Sequence, residues 1–323
     1  HRPTIELHGE KWTEAANIVT NGPFQLDTWQ HNSRIDIVKW DEWRDAASVK
    51  LTRVNGRMIT DGTTAVQALL AGEIQFGHLS PAPMMTAWAQ GADFVWIGTF
   101  QHHRVQKFTR EGKHVLTIGT MDKNAGSNDT TLLGGPAGIW VDPKTNEAFI
   151  ADGYRNRRVI VFDGATGKYL RHWGAYGEAP DDTQKPANDP KTPNTQFSTV
   201  HGITGSSDGM IYVADRRGNR IQVFDQKGTY ITEKIIAPET RASGSAFVIA
   251  FSPDNNQQWL YLADGTNHKI WVLRRSDLEV VGSFGHAGRH VGQMLRPHGM
   301  SVDAKGNIYV GEASTGRRIQ RFI

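Results

Sequence analysis

Tyr212-Val-Ala-Asp215 followed by Arg220-Ile-Gln-Val-Phe224 is one copy of a pattern that runs through the last two thirds of this chain. Its second half recurs as Arg104-Val-Gln-Lys-Phe108, Arg158-Val-Ile-Val-Phe162, Lys269-Ile-Trp-Val-Leu273 and Arg318-Ile-Gln-Arg-Phe322. Its first half, an apolar strand ending in an acid, recurs as Phe149-Ile-Ala-Asp152, Tyr261-Leu-Ala-Asp264 and Tyr309-Val-Gly-Glu312. Successive basic residues stand 54, 62, 49 and 49 positions apart. A period of about 40–50 residues carrying several short strands marks a propeller blade. Such a fold sets matching residues of its blades around one axis.

The third copy spells out a whole blade. Strand a is His201-Gly-Ile-Thr204, followed by a turn at Ser206-Ser-Asp-Gly209. Strand b covers 210–214 and strand c 220–224, and after Asp225-Gln-Lys-Gly228 comes strand d over 229–235. Each strand is rich in β-branched and aromatic residues and is bounded by Asp, Gly and Asn turn chemistry. The last copy begins at Pro297-His-Gly-Met300 and ends after strand c. An open blade edge invites aggregation, so the missing strand is expected from the N-terminal region, with Thr4–Leu7 or Arg34–Trp40 as candidates. The reading is an all-β propeller of six blades, five of them legible, with Phe94-Val-Trp-Ile-Gly98 as strand b of the first.

Antiparallel order sorts the connections. The d-to-a and b-to-c connections share one face, and the a-to-b and c-to-d turns share the other. The first face receives His201 and His298 at the starts of two a strands, and Tyr154, Arg216 and His268 in b-to-c loops. It also carries the two longest insertions, Met121–Gly135 and Ala175–Gln196. Long ordered loops on a rigid scaffold are where sites are built. The repeating acids Asp152, Asp215, Asp264 and Glu312 recur too regularly for catalysis and are expected to satisfy turn amides.

With 36 basic and 33 acidic residues the chain is nearly balanced at +3, which speaks against a nucleic-acid partner. No cysteine is present, so disulfides, thiolate metal sites and cysteine nucleophiles are excluded. No apolar run approaches the ~20 residues needed to span a bilayer. The first residue is His1 rather than Met, which fits a processed, periplasmic or secreted product.

Residues 1–92 lack the blade pattern, and the propeller is expected over 93–323. Asn21-Gly-Pro-Phe-Gln-Leu-Asp-Thr-Trp29 with Arg34-Ile-Asp-Ile-Val-Lys-Trp40 resembles oligopeptide-binding proteins of ABC importers. Residues 60–76, with Ser80-Pro-Ala-Pro83, resemble the nitrate/taurine-type binding proteins instead. Neither stretch is long enough for a two-lobed binding protein. They read as short coincidental matches or as parts of a mosaic chain.

The repeats resemble NHL repeats, and residues from about 100 to 323 resemble the propeller of peptidyl-α-hydroxyglycine α-amidating lyases and their bacterial relatives. The resemblance rests on Phe149-Ile-Ala-Asp-Gly-Tyr-Arg-Asn-Arg-Arg158, on Val200-His-Gly-Ile203 with Val213-Ala-Asp-Arg216, and on Arg296-Pro-His-Gly-Met300 with Tyr309-Val-Gly-Glu312. It implies a zinc ion held by three histidines on a strands, a tyrosine base and arginines that hold substrate. Carried over by position, His201 and His298 are zinc ligands, Tyr154 is the base and Arg216 a substrate clamp.

This sequence departs from that pattern at two points. Met84 stands where the first histidine belongs, with His78 too far upstream and His102 or His103 on the same face as substitutes. Gly299 follows the last histidine where the lyases tend to carry an acid. Three functions therefore stand side by side. One is metal-dependent, lyase-like cleavage of an α-hydroxyglycine or related small peptide-like substrate. The second is a non-catalytic propeller binding a protein or glycan through its loop-rich face. The third is a calcium- or zinc-stabilised scaffold with metal at the axis and no turnover.

Overall fold

Short strands and Asp-Gly turns build antiparallel sheets along most of the chain in its computed structural model, which describes residues 2–14, 17–18, 22–58, 85–88, 94–184 and 194–323. Two compact units divide it, His1–Leu69 and Leu70–Ile323.

The first unit opens on helix α1 (Arg2–His8) and a 3-10 turn at Gly9–Thr13. Strands β1 (Phe24–Gln30), β2 (Arg34–Lys39) and β3 (Arg53–Arg57) then form one sheet in the order β1-β2-β3. Asn32, at φ 60, closes the β1–β2 hairpin in the left-handed region that asparagine tolerates.

Each repeat of the second unit is one sheet. The first holds β4 (Met85–Trp88), β5 (Phe94–Thr99), β6 (Arg104–Thr109) and β7 (His114–Ile118). The second holds β8 (Gly138–Val141), β9 (Glu147–Asp152), β10 (Arg158–Asp163) and β11 (Tyr169–Trp173). In the third are β12 (Val200–Gly205), β13 (Ile211–Asp215), β14 (Arg220–Phe224) and β15 (Tyr230–Ile235). In the fourth are β16 (Val248–Phe251), β17 (Trp259–Asp264), β18 (Lys269–Arg274) and β19 (Glu279–Phe284). The fifth has three strands among the described residues, β20 (Pro297–Val302), β21 (Ile308–Glu312) and β22 (Arg318–Phe322). The first strands β4, β8, β12, β16 and β20 pack in succession, so they form the inner wall. Between the second and third sheets the core is aromatic, with Trp140, Phe149, Trp173, Phe197 and Phe224 buried together.

The turns follow the expected chemistry. The Asp225 carboxylate accepts the amides of Lys227 and Thr229, and the Asp303 carboxylate those of Lys305 and Asn307. Gly228 sits at φ +91, and a Cβ there would meet the Trp173 ring at 2.7 Å. Only glycine meets both demands.

Two expectations are corrected. Thr4–Leu7 is helical, within α1, where Pro3 occupies the first turn and its missing N–H costs little. Arg34–Lys39 is the middle strand of its own sheet, with β1 on one side and β3 on the other, so it has no edge to offer β22.

The repeating acid and base face each other in three of these sheets. Arg158 Nε donates to Asp152 at 3.0 Å and Arg220 Nε to Asp215 at 3.1 Å. Arg318 Nε donates to Glu312 at 2.6 Å. In the fourth sheet the Trp271 indole N–H takes this role, donating to Asp264 at 2.9 Å. As expected, the acids also accept turn amides, from Gly134, from Ser198 and Thr199, from Asn267, and from Leu295.

The remaining guanidinium N–H groups reach the loop that enters each sheet. Arg158 donates to the carbonyls of Ser127, Asp129 and Leu132, and Arg220 to those of Asn194 and Gln196. Arg318 holds Gly288, Arg289 and Gln293 in the same way. The Asp152–Arg158 pair is fully shielded, with both side chains at 0% exposure. Removing one partner of such a pair leaves a buried charge uncompensated. Arg158→Ala should therefore cost about 3–5 kcal/mol of unfolding free energy. Arg274→Ala breaks exposed pairs with Asp277 and Glu279 and should cost under about 1 kcal/mol. Urea denaturation of the two variants checks the contrast.

Candidate functional site

Strand register explains how two histidines from distant repeats meet. In β12, Val200 pairs with Asp215 and Gly202 with Ala214, which leaves His201 as an extra residue in a bulge. In β20, Pro297 pairs with Glu312 and Gly299 with Gly311, which leaves His298 in the same situation. A bulge re-aims its side chain and often stands beside a site. Val248 pairs with Ala263 in the sheet between them, so Phe247 holds the equivalent position there. The two imidazoles approach to 4.8 Å between ring centroids, edge to face, and each also meets the Phe247 ring, at 5.4 and 5.5 Å.

A directed chain of hydrogen bonds passes through this cluster. The Phe247 carbonyl can only accept, so the His201 Nδ1 that lies 2.8 Å away carries the proton. Nε2 of the neutral ring is then an acceptor, and the Tyr154 hydroxyl donates to it at 3.2 Å. Arg216 Nη1 donates in turn to the Tyr154 oxygen at 3.4 Å. Tyr154 is seated by Phe100, 4.6 Å between rings, and the Arg216 guanidinium lies 5.3 Å from the Tyr154 ring centre.

The surroundings keep both imidazoles neutral. Burial holds His201 well below the ordinary histidine range, and His298 and Arg216 push in the same direction. His298 is lowered to about 4, first by burial and then by Arg216 and Arg296. Burial also lowers Arg216. It forms no ion pair with a carboxylate among the described residues, which sets it apart from Arg158, Arg220 and Arg318.

The structure thus brings Tyr154, Arg216, His201 and His298 together. His103 lies in the turn between β5 and β6, at φ 54 and buried, with Nδ1 lacking a hydrogen-bond partner. Its charged neighbours are Arg155, Asp152 and Asp122, and no ring contact or hydrogen bond joins it to His201 or His298. His102 faces Asp122 at 3.0 Å. Met84 and His78 lie outside the described residues. His268 accepts the Arg296 backbone N–H on Nδ1 at 3.1 Å.

Comparison with known proteins divides along the chain as the sequence did. Over 223 residues it is 27% identical to peptidyl-glycine alpha-amidating monooxygenase B of Xenopus laevis, covering 68% of this chain and 24% of that one. Over 247 residues it is 26% identical to the human NHL repeat-containing protein 3, covering 71% and 62%. The chain thus spans less than two thirds of either relative. The repeat region is an NHL-type β-propeller. Residues 3–113 match the model of bacterial extracellular solute-binding proteins, family 5 middle. The periplasmic oligopeptide-binding protein OppA of Salmonella typhimurium is 36% identical over 77 residues, 24% of this chain and 14% of that one.

Two residues of the propeller's cluster escaped sequence reading. Phe247 has no histidine to draw notice, and only the paired register reveals that it stands between His201 and His298. Arg296 was visible as part of a motif, yet its side chain reaches the cluster only through the turn before β20. As donors for a zinc ion, His201 and His298 fit: both are neutral, and the Phe247 carbonyl orients one of them in the way that supports metal ligation. No group of three or more His, Asp or Glu side chains placed to hold a metal ion occurs among the described residues.

The lowered histidine pKa values have a consequence for stability. The unfolded chain takes up protons near the ordinary value of 6.5, while folded His298 resists protonation down to about 4. Stability should therefore fall as pH drops from about 6.5 towards 4. His298→Gln should flatten that slope. Urea midpoints measured at several pH values for both proteins test it, and equal slopes would count against a neutral His298.

Proposed function

We propose that the loop-bearing face of the propeller carries a lyase site of the α-amidating type, acting on a peptidyl α-hydroxyglycine or a related small substrate outside the cytoplasm. The carrying observation is the Arg216–Tyr154–His201 hydrogen-bond chain with His298 beside it. The amidating relative supports the chemistry, and the periplasmic oligopeptide-binding relative supports both the setting and a peptide-like ligand. Among the described residues no helix is long and apolar enough to cross a membrane.

The reaction needs a base for the α-hydroxyl and an acid for the departing nitrogen. As a phenolate, Tyr154 takes the α-hydroxyl proton. The O–H bonding pair becomes the second bond of the aldehyde carbonyl, and the Cα–N bond breaks with its pair going to nitrogen. Tyr154 returns the proton to that nitrogen, so peptide amide and glyoxylate leave and the enzyme is restored. Arg216 Nη1 donates to the Tyr154 oxygen, where a phenolate would carry its charge. The same guanidinium suits the substrate carboxylate. His201 and His298 would hold a zinc ion, which supplies a Lewis acid for the α-hydroxyl oxygen.

Glyoxylate release from an α-hydroxyglycine peptide tests the reading. Tyr154→Phe should lower kcat by about 10²–10⁴-fold, with bound zinc unchanged, whereas His201→Ala should lose the metal as well. Absence of glyoxylate from zinc-supplemented wild-type protein would overturn the assignment.

A further inference from the structure

Several arginines of this propeller are matched to carboxylates. Arg158, Arg220 and Arg318 each face the acid of their own sheet, and Arg275 faces Asp208. Two others, Arg216 and Arg296, both reach the Phe247 ring. The Arg216 guanidinium lies 5.1 Å from the ring centre and that of Arg296 lies 5.7 Å from it. Neither has a carboxylate ion pair among the described residues. Arg216 is only 6% exposed, and its Nε is buried with no hydrogen-bond partner. Its Nη1 meets the Tyr154 hydroxyl, and Arg296 Nη2 meets the Ser243 hydroxyl, each at a long 3.4 Å. Arg296 is held at φ 56, a left-handed backbone that a non-glycine residue seldom adopts.

Two like charges beside one ring, with neutral imidazoles close by, are costly unless something supplies the opposite charge. Guanidinium forks match carboxylate geometry. We propose that Arg296 is a second cationic arm of the site, and that the site selects a small ligand bearing two negative charges over one bearing a single charge. Arg216 takes one acidic group and Arg296 the other. The inference rests on reading the cluster as a small-molecule site, but it does not depend on turnover.

Calorimetric titration of the full chain at neutral pH with succinate and with butyrate, acids of equal carbon count, tests it. Wild type should bind succinate about tenfold or more tightly than butyrate. Arg296→Met should bring the two within about twofold, the loss expected when one charge-assisted contact is removed. Arg296→Lys, which keeps the charge and loses the fork, should fall between. Thermal unfolding of each variant shows whether the fold is intact, and the lysine variant carries the test should the methionine variant not fold. Equal affinity for the two acids in wild type, no binding of either, or an unaltered preference in both Arg296 variants overturns the proposal. Absence of glyoxylate release, with the succinate preference intact, overturns the lyase reading alone.

Discussion

The second unit depends on one interaction that recurs in three of its sheets: a carboxylate at the end of the second strand, set against an arginine at the start of the third. Asp152 with Arg158, Asp215 with Arg220 and Glu312 with Arg318 each close a hairpin at its inner end. Burying such a pair gains little over apolar packing. What it contributes is direction. An arginine has five N–H groups, and the acid uses only one side of the fork. The others reach the carbonyls of the entering loop, as at Ser127 and Leu132 for Arg158 and at Asn194 and Gln196 for Arg220. Irregular loop backbone is thereby satisfied without a helix or sheet of its own.

That arrangement frees the inner strands for a different task. With the loops pinned, β12 and β20 each admit one extra residue, and both extra residues are histidines. Because the strands pack side by side around the inner wall, residues nearly a hundred positions apart come within 4.8 Å. Burial then keeps the rings neutral, and the Phe247 carbonyl fixes which nitrogen of His201 carries the proton. Tyr154 and Arg216 arrive from the loops after β9 and β13, just beyond the structural acids Asp152 and Asp215. These two sheets thus each supply a structural acid and, one or two residues later, a group for the site.

The first unit follows other rules. Its three-stranded sheet is built without the acid–arginine sentence, and Arg53 pairs instead with Asp27 on a neighbouring part of the same unit. Its likeness to solute-binding proteins covers a small fraction of those proteins' length.

Much of this was legible from residue order alone. Period, strand content, turn residues and the recurring acid and base sufficed for the propeller, because those features are local and repeat with the sheet. Shared faces followed from antiparallel order, so Tyr154, Arg216, His201 and His298 were expected on one side, and they meet there. Thr4–Leu7 was misread because four residues with two apolar ones suit a short helix as well as a strand, and only the helical hydrogen bonds decide. Phe247 and Arg296 belonged to tertiary structure. Their roles come from a register and a turn, and pairing across strands depends on partners that no local window contains. The repeat determined the architecture; which side chains share the axis was decided by where each strand gains one residue on its neighbour.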